Sequence, residues 1–153
     1  MPIFSRSWRD QAGAADPEQV RVIGPVLQVE IRIPSALAAS LQQIQAPIPA
    51  PHVGLALIDT GASITGVDQD VLGQLGLNPT SVVQVATPGG QVPQFVYACD
   101  LSFPGTPIGT IPFGFVVGSQ LGGMGYSALI GRDFLRFFQI VYNGPEGFWT
   151  LAF

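Results

Sequence analysis

The chain has 153 residues, 47% of them apolar and 10% charged, with a net charge of −4 and an isoelectric point near 4.6. That length suits one folded domain with one modest core, and the composition excludes a disordered tail. Six Lys plus Arg without a basic run exclude a surface built for nucleic acid or an anionic membrane, and no apolar run reaches the roughly 18 residues a membrane-spanning helix needs.

Residues 1–20 carry Arg6, Arg9, Asp10, Asp16 and Glu18 with little periodicity, and read as an N-terminal tail ahead of a domain over 21–153. Leu27 to Ile33 alternates strictly, as a strand with one buried face does. Residues 34–52 read as a surface insertion: a short helix from Ser35 to Gln45, capped by Ser35, then a Pro-rich run. Gly54 to Ile58 is apolar on both faces, which predicts an interior strand running directly into Asp59. Asp68 to Leu75 predicts a short helix with Asp68 as N-cap, an apolar face of Val71, Leu72 and Leu75, and Gly76 as the stop.

Val82–Ala86 and Val92–Phe103 flank Thr87-Pro88-Gly89-Gly90, whose Pro-Gly chemistry predicts a β-hairpin. Ile108–Val117 is a further strand, and Gly118–Tyr126 a Gly-rich loop. Ala128 to Ile130 reads as a buried strand and Asp133–Phe138 as a short helix. Gln139–Tyr142 and Phe148–Phe153 form a last hairpin. The expected fold class is mainly β with two short helices.

Cys99 is the only cysteine, so no disulfide forms within the chain, and Met1 to Val20 lacks the apolar core of a signal peptide. Together they predict a cytoplasmic protein. With His52 and Cys99 each alone of its kind, no zinc site is expected from those ligands, and neither a metal nor a cofactor is implied. A Ser-His-Asp or Cys-His enzyme would have to use His52, beside the Pro-rich stretch.

The strongest local signal is Leu57-Ile58-Asp59-Thr60-Gly61-Ala62-Ser63. An acid that ends a doubly apolar strand is poorly solvated, and ionising it there is unfavourable unless something compensates. Thr60 can bond neighbouring backbone, Gly61 permits a tight bend beside the carboxylate, and the small Ala62 and Ser63 leave space before it. Taken alone, the tripeptide is better explained by an Asp that caps a turn between strand and loop. About seventy residues later stands a second apolar element, Ala128-Leu129-Ile130-Gly131-Arg132-Asp133.

Together with the hairpin between them, these segments resemble the retropepsin-like aspartic peptidases, the family of the retroviral proteases, over about residues 22–153. The resemblance implies a small closed β-barrel that forms one lobe of a two-fold symmetric homodimer, each subunit giving one Asp59 to a catalytic pair. It implies support from Thr60, Gly61 and Ala62, with Thr60 bonding across the dimer. Ser63, Ile130 and a flap over Thr87, Pro88, Gly89, Gly90 and Gln91 would touch an extended, largely apolar polypeptide substrate. Gly131, Arg132 and Asp133 would be structural. The implied function is a homodimeric aspartic endopeptidase; the alternative is a dimer of the same fold that binds peptides or proteins without cutting them.

Two departures stand out. Ala62 replaces the Ser that pepsin-like members have after D-T-G, which predicts a less acidic optimum. Ser63 replaces the Asp that pairs with the motif Arg in many retroviral enzymes, so Arg132 must find another acid or a backbone carbonyl. Phe148, Trp149, Leu151 and Phe153 suit a dimer interface or their own subunit's core. Leu55, Leu57, Ile64, Val116, Val117 and Ile130 line the cleft or fill the core.

Overall fold

The computed structural model describes residues 1–153 as ten strands and four short helices. In chain order these are β1 (Ile3–Ser7), α1 (Pro17–Ile23), β2 (Val26–Arg32), α2 (Ser35–Gln43), β3 (His52–Ile58), β4 (Gly66–Asp68) and α3 (Gln69–Gln74). They continue with β5 (Ser81–Thr87), β6 (Gly90–Ser102), β7 (Ile111–Ser119), β8 (Ala128–Ile130), α4 (Arg132–Leu135), β9 (Gln139–Asn143) and β10 (Phe148–Ala152). No helix is long and apolar enough to cross a membrane.

The larger sheet runs β2-β3-β8-β4-β7-β6-β5. Because β6 also pairs with β2, through Glu30–Ser102, Ile31–Leu101 and Arg32–Asp100, all of these strands except β5 form a closed circuit. Closure removes the free edges at which such strands would otherwise pair with other chains. Inside the circuit, the alternating Leu27, Val29 and Ile31 of β2 meet Leu72, Leu101 and Ile130 in one hydrophobic cluster. β6 is long enough to serve twice. Its second half closes the circuit, while its first half runs out with β5 as a hairpin, in register from Ser81–Val96 to Thr87–Gly90. Pro88 and Gly89 form the tip, and Gly90, at φ 114°, takes a conformation that favours glycine.

The first twenty residues are not a tail. β1 pairs antiparallel with β10, so that a second sheet, β1-β10-β9, joins the two ends of the chain. Phe4 packs on Trp149 at 5.6 Å between ring centroids, and Ser5 bonds Thr150 at 2.7 Å. Asp16 caps α1 by accepting from the N–H groups of Glu18 and Gln19, and Pro17 opens the helix. Val20 is fully buried, and Tyr142 and Tyr126 donate to the carbonyls of Val20 and Ile23. Arg6, Arg9, Asp10 and Glu18 remain exposed, which is why a short edge strand reads as a polar tail.

There are four helices against the two of the expected fold class: α2, α3 and α4 fall at the three spans read as helical, and α1 lies in the segment read as a tail. α2 follows the predicted span, but its N-cap is Pro34 and Ser35 is its first residue. The end is satisfied from a distance instead: the N–H of Ser35 donates to Asp100 on β6 at 3.1 Å. α2 buries no residue fully and connects the paired neighbours β2 and β3 over the surface. Asp68 caps α3 as predicted, with Val71, Leu72 and Leu75 buried and Gly76 at φ 70°. Trp149 and Leu151 are fully buried in the core of their own chain. A dimer interface is therefore not what those two side chains provide.

Cys99 is fully buried on β6, and its thiol is pushed up to about 12, mainly by loss of solvent and secondarily by the charge of Asp100. Native protein is expected to resist a neutral thiol reagent that labels the unfolded chain at once. The sign of the linkage follows: stability from the neutral thiol is complete below its unfolded value of 9.0 and is lost as pH rises towards about 12. That loss amounts to roughly 4 kcal/mol across the window. Urea titrations should show it between pH 9 and 12, and Cys99→Ala should flatten it.

Candidate active site

Asp59 stands at the end of β3, where strand order places it beside β8. β3 and β8 run parallel, Leu57 opposite Leu129 and Ile58 opposite Ile130, and the N–H of Asp59 donates to the carbonyl of Ile130 at 3.0 Å. The chain then turns tightly, with the Ala62 N–H returning to the Asp59 carbonyl at 3.2 Å. The same turn brings two backbone donors onto the carboxylate: Gly61 N–H at 2.8 Å and Ala62 N–H at 3.3 Å, both on Oδ1. A Cβ at Gly61 would lie 3.0 Å from Oδ1 and press on the carboxylate. Asp59 is half-buried, and Thr60 beside it is exposed.

The second motif holds this loop from below. Arg132 N–H donates to the Ala62 carbonyl at 2.9 Å and Asp133 N–H to the Ser63 carbonyl at 3.2 Å. The Arg132 guanidinium donates to the carbonyls of Thr60 and Gly61, at 2.6 and 3.1 Å. Backbone carbonyls thus replace the acid that Ser63 cannot supply. Gly131 packs so closely on the loop that a Cβ would fall 2.6 Å from the Ile64 carbonyl carbon and 2.8 Å from the Thr65 nitrogen, both backbone atoms that cannot swing aside. The Asp133 carboxylate accepts from Thr65 N–H at 3.0 Å, Thr65 hydroxyl at 2.8 Å and Phe134 N–H at 2.9 Å. Thr65, in turn, accepts from Gly131 N–H at 3.1 Å and is fully buried.

Thr65 is the residue the sequence reading missed. Its only sequence signal is a hydroxyl between the apolar Ile64 and the buried Gly66–Val67, a position where a polar group must find a partner.

Before Asp59 lies a cleft of about 410 Å³. Its floor includes Asp59, Gly61, Ala62, Ser63 and Ile64, and its roof is Val85 to Pro88 from the hairpin. The structure therefore brings Asp59, Ser63, Thr87 and Pro88 together. Gly89, Gly90 and Gln91 lie beyond the lining, on the exposed end of the hairpin. Ile130 is corrected: it is fully buried in the core, while Leu129, one residue earlier, lines the cleft. Ile64 and Val117 also line it, and Val116 belongs to the core. Gln94, Ser119 and Gly66 complete the wall. His52 lies elsewhere, bonding Ser127 at 2.9 Å between the starts of β3 and β8.

Solved structures similar to this chain include the following three. The protease of simian foamy virus is 19% identical over 74% of this chain and 93% of that one, with a TM-score of 0.46. A retropepsin-like aspartic protease from Rickettsia conorii is 12% identical over 97% of this chain and 90% of that one, with a TM-score of 0.47. The retroviral protease-like domain of Ddi1 from Leishmania major is 18% identical over 77% of this chain and 81% of that one, with a TM-score of 0.40. No family model and no curated protein matches the chain.

Proposed function

We propose that the chain is one subunit of a homodimeric aspartic endopeptidase, in which two copies of Asp59 activate a water molecule for attack on a peptide bond. One observation supports this most directly: a carboxylate anchored through Oδ1 by two backbone N–H groups faces a cleft roofed by a β-hairpin. Anchoring one oxygen leaves Oδ2 for the water. An extended peptide fits between floor and roof with its backbone along the hairpin, which can close over it and exclude bulk solvent.

Each chain has a single D-T-G segment, whereas general acid–base chemistry of this kind uses one carboxylate to take a proton and another to donate one. Two subunits around a two-fold axis supply both. Like charges held that close share one proton, and the resulting apparent pKa values belong to the pair. The ionised Asp59 takes a proton from water as the oxygen attacks the carbonyl carbon. The protonated partner donates to the carbonyl oxygen, and collapse of the tetrahedral adduct breaks the C–N bond with proton transfer to the leaving amine. The exposed Thr60 is free to bond its counterpart across the axis and hold the two acids level.

The test is incubation of concentrated protein with a denatured protein substrate from pH 3 to 7, followed by peptide mapping. Discrete cleavage that increases more steeply than protein concentration is the expected result. Its absence from a sample shown by sedimentation to be dimeric would leave a peptide-binding dimer in place of a peptidase.

A further inference from the structure

Gln94 is an unexplained group in the wall of the cleft. It sits on β6 opposite Val83 and lines the cleft before Asp59, yet its Oε1 is shut away from solvent without a hydrogen-bond partner. Folded proteins pair nearly all such oxygens, and an exception at a cleft wall calls for a reason. The other unpaired buried polar atom, Trp149 Nε1, belongs to the hydrophobic core and lines none of the cavities described here.

Gln94 also lines a second cavity of about 360 Å³, shared with Gln69 and Gln120, and so stands between the two spaces. A third cavity of about 480 Å³, lined without a single hydrophobic residue, shares Ser119 with the cleft and both glutamines with the second space. On this side of the cleft, then, the adjoining cavities add the carboxamides of Gln69 and Gln120 and the carboxylates of Asp68 and Asp70, beside the apolar Val92, Pro93 and Phe95. No arginine lines any of the three cavities, and the chain contains no lysine. The combined lining therefore holds carboxylates and no cation to pair with them.

The geometry points to Gln94 as a specificity-determining residue that selects a substrate side chain able to donate a hydrogen bond (Ser, Thr, Asn, Gln or Lys) near the scissile bond. This rests on the peptidase reading above and changes its substrate class, from the largely apolar segment expected from sequence to one with a polar donor on the β6 side. The last torsion of a glutamine is broad and roughly two-fold, so presenting Oε1 to a donor in the cleft has a low conformational cost. A donor arriving there pairs an oxygen that was unpaired before. An apolar isostere leaves it unpaired, and sites that hold a waiting acceptor reject such analogues more strongly than apolar pockets reject a missing methylene.

The experiment uses extended peptides that differ at one position at a time between near-isosteres, Thr against Val and Asn against Leu. Each is measured twice: for cleavage by wild-type and Gln94→Met protein, and for binding to Asp59→Asn and Asp59→Asn/Gln94→Met protein. At one position the donor-bearing peptide is expected to be favoured about tenfold in both measurements, and the preference should fall to near unity with methionine. Methionine keeps the length and removes the unpaired oxygen, so thermal stability should hold or rise; a purely structural glutamine would lower it. A preference that is absent, or that survives Gln94→Met, overturns the inference. If nothing is cleaved, the peptidase reading fails, and the binding arm still decides the role of Gln94.

Discussion

Asp59→Asn is expected to lower peptidase activity by at least about a thousandfold while leaving a folded, dimerising protein. Asparagine has nearly the volume of aspartate, and its carbonyl can accept the Gly61 and Ala62 N–H groups that now rest on Oδ1. The loop over Thr60 to Ser63 keeps its bonds to Arg132 and Asp133, none of which involves the Asp59 side chain. What disappears is a group that can exchange a proton with water. A mixing experiment sharpens the reading. If wild-type and Asp59→Asn subunits pair at random in equal amounts, and both carboxylates are needed, about a quarter of the activity of the same total wild-type protein should remain. If each subunit worked alone, about half would remain. Dilution should weaken the wild-type enzyme in the same assay as the dimer dissociates.

Asp133→Ala is expected to destabilise the subunit by about 3 kcal/mol, because the carboxylate receives three hydrogen bonds and two of them satisfy the buried Thr65. For a chain of this size that corresponds to a fall of roughly 6–12 °C in Tm by calorimetry. Peptidase activity should fall by more than the unfolded fraction explains, since Thr65 lies on the segment that leads from Asp59 into β4. Thr65→Val removes the other half of the pair, and with it the oxygen that accepts from Gly131 N–H. The double variant should be less unstable than the sum of the two, by about 1–2 kcal/mol, as expected for residues within one network. Strict additivity would mean that the two side chains act independently.

Much of this arrangement was legible in the residues. A strand apolar on both faces and ending in Asp59-Thr60-Gly61 can belong only to an interior position, and β3 lies between β2 and β8. Asp68, the Pro88-Gly89 turn and Gly76 each announced their element through backbone chemistry that depends on immediate neighbours. What stayed hidden depends on distant residues. The short β1 reads as polar because it buries only one edge, and its partner stands at the far end of the chain. Asp100, distant in sequence, satisfies the start of α2, so nothing near Ser35 could reveal it. Ala128-Leu129-Ile130 is apolar throughout, so no alternation tells which residue faces the cleft, and the strand's pairing makes it Leu129. Arg132 finds backbone carbonyls, which every residue possesses and no sequence distinguishes.

The pairing of β1 with β10 also sets an order of assembly. Ser5 and Thr150 are 145 positions apart, so their bond closes a loop of nearly the whole chain, which is entropically dear to form early. The closed circuit draws only on residues from Val26 to Ile130 and can form before that. During synthesis β1 leaves the ribosome long before β10 and has no partner until β10 follows, so the earlier strand is among the last to settle.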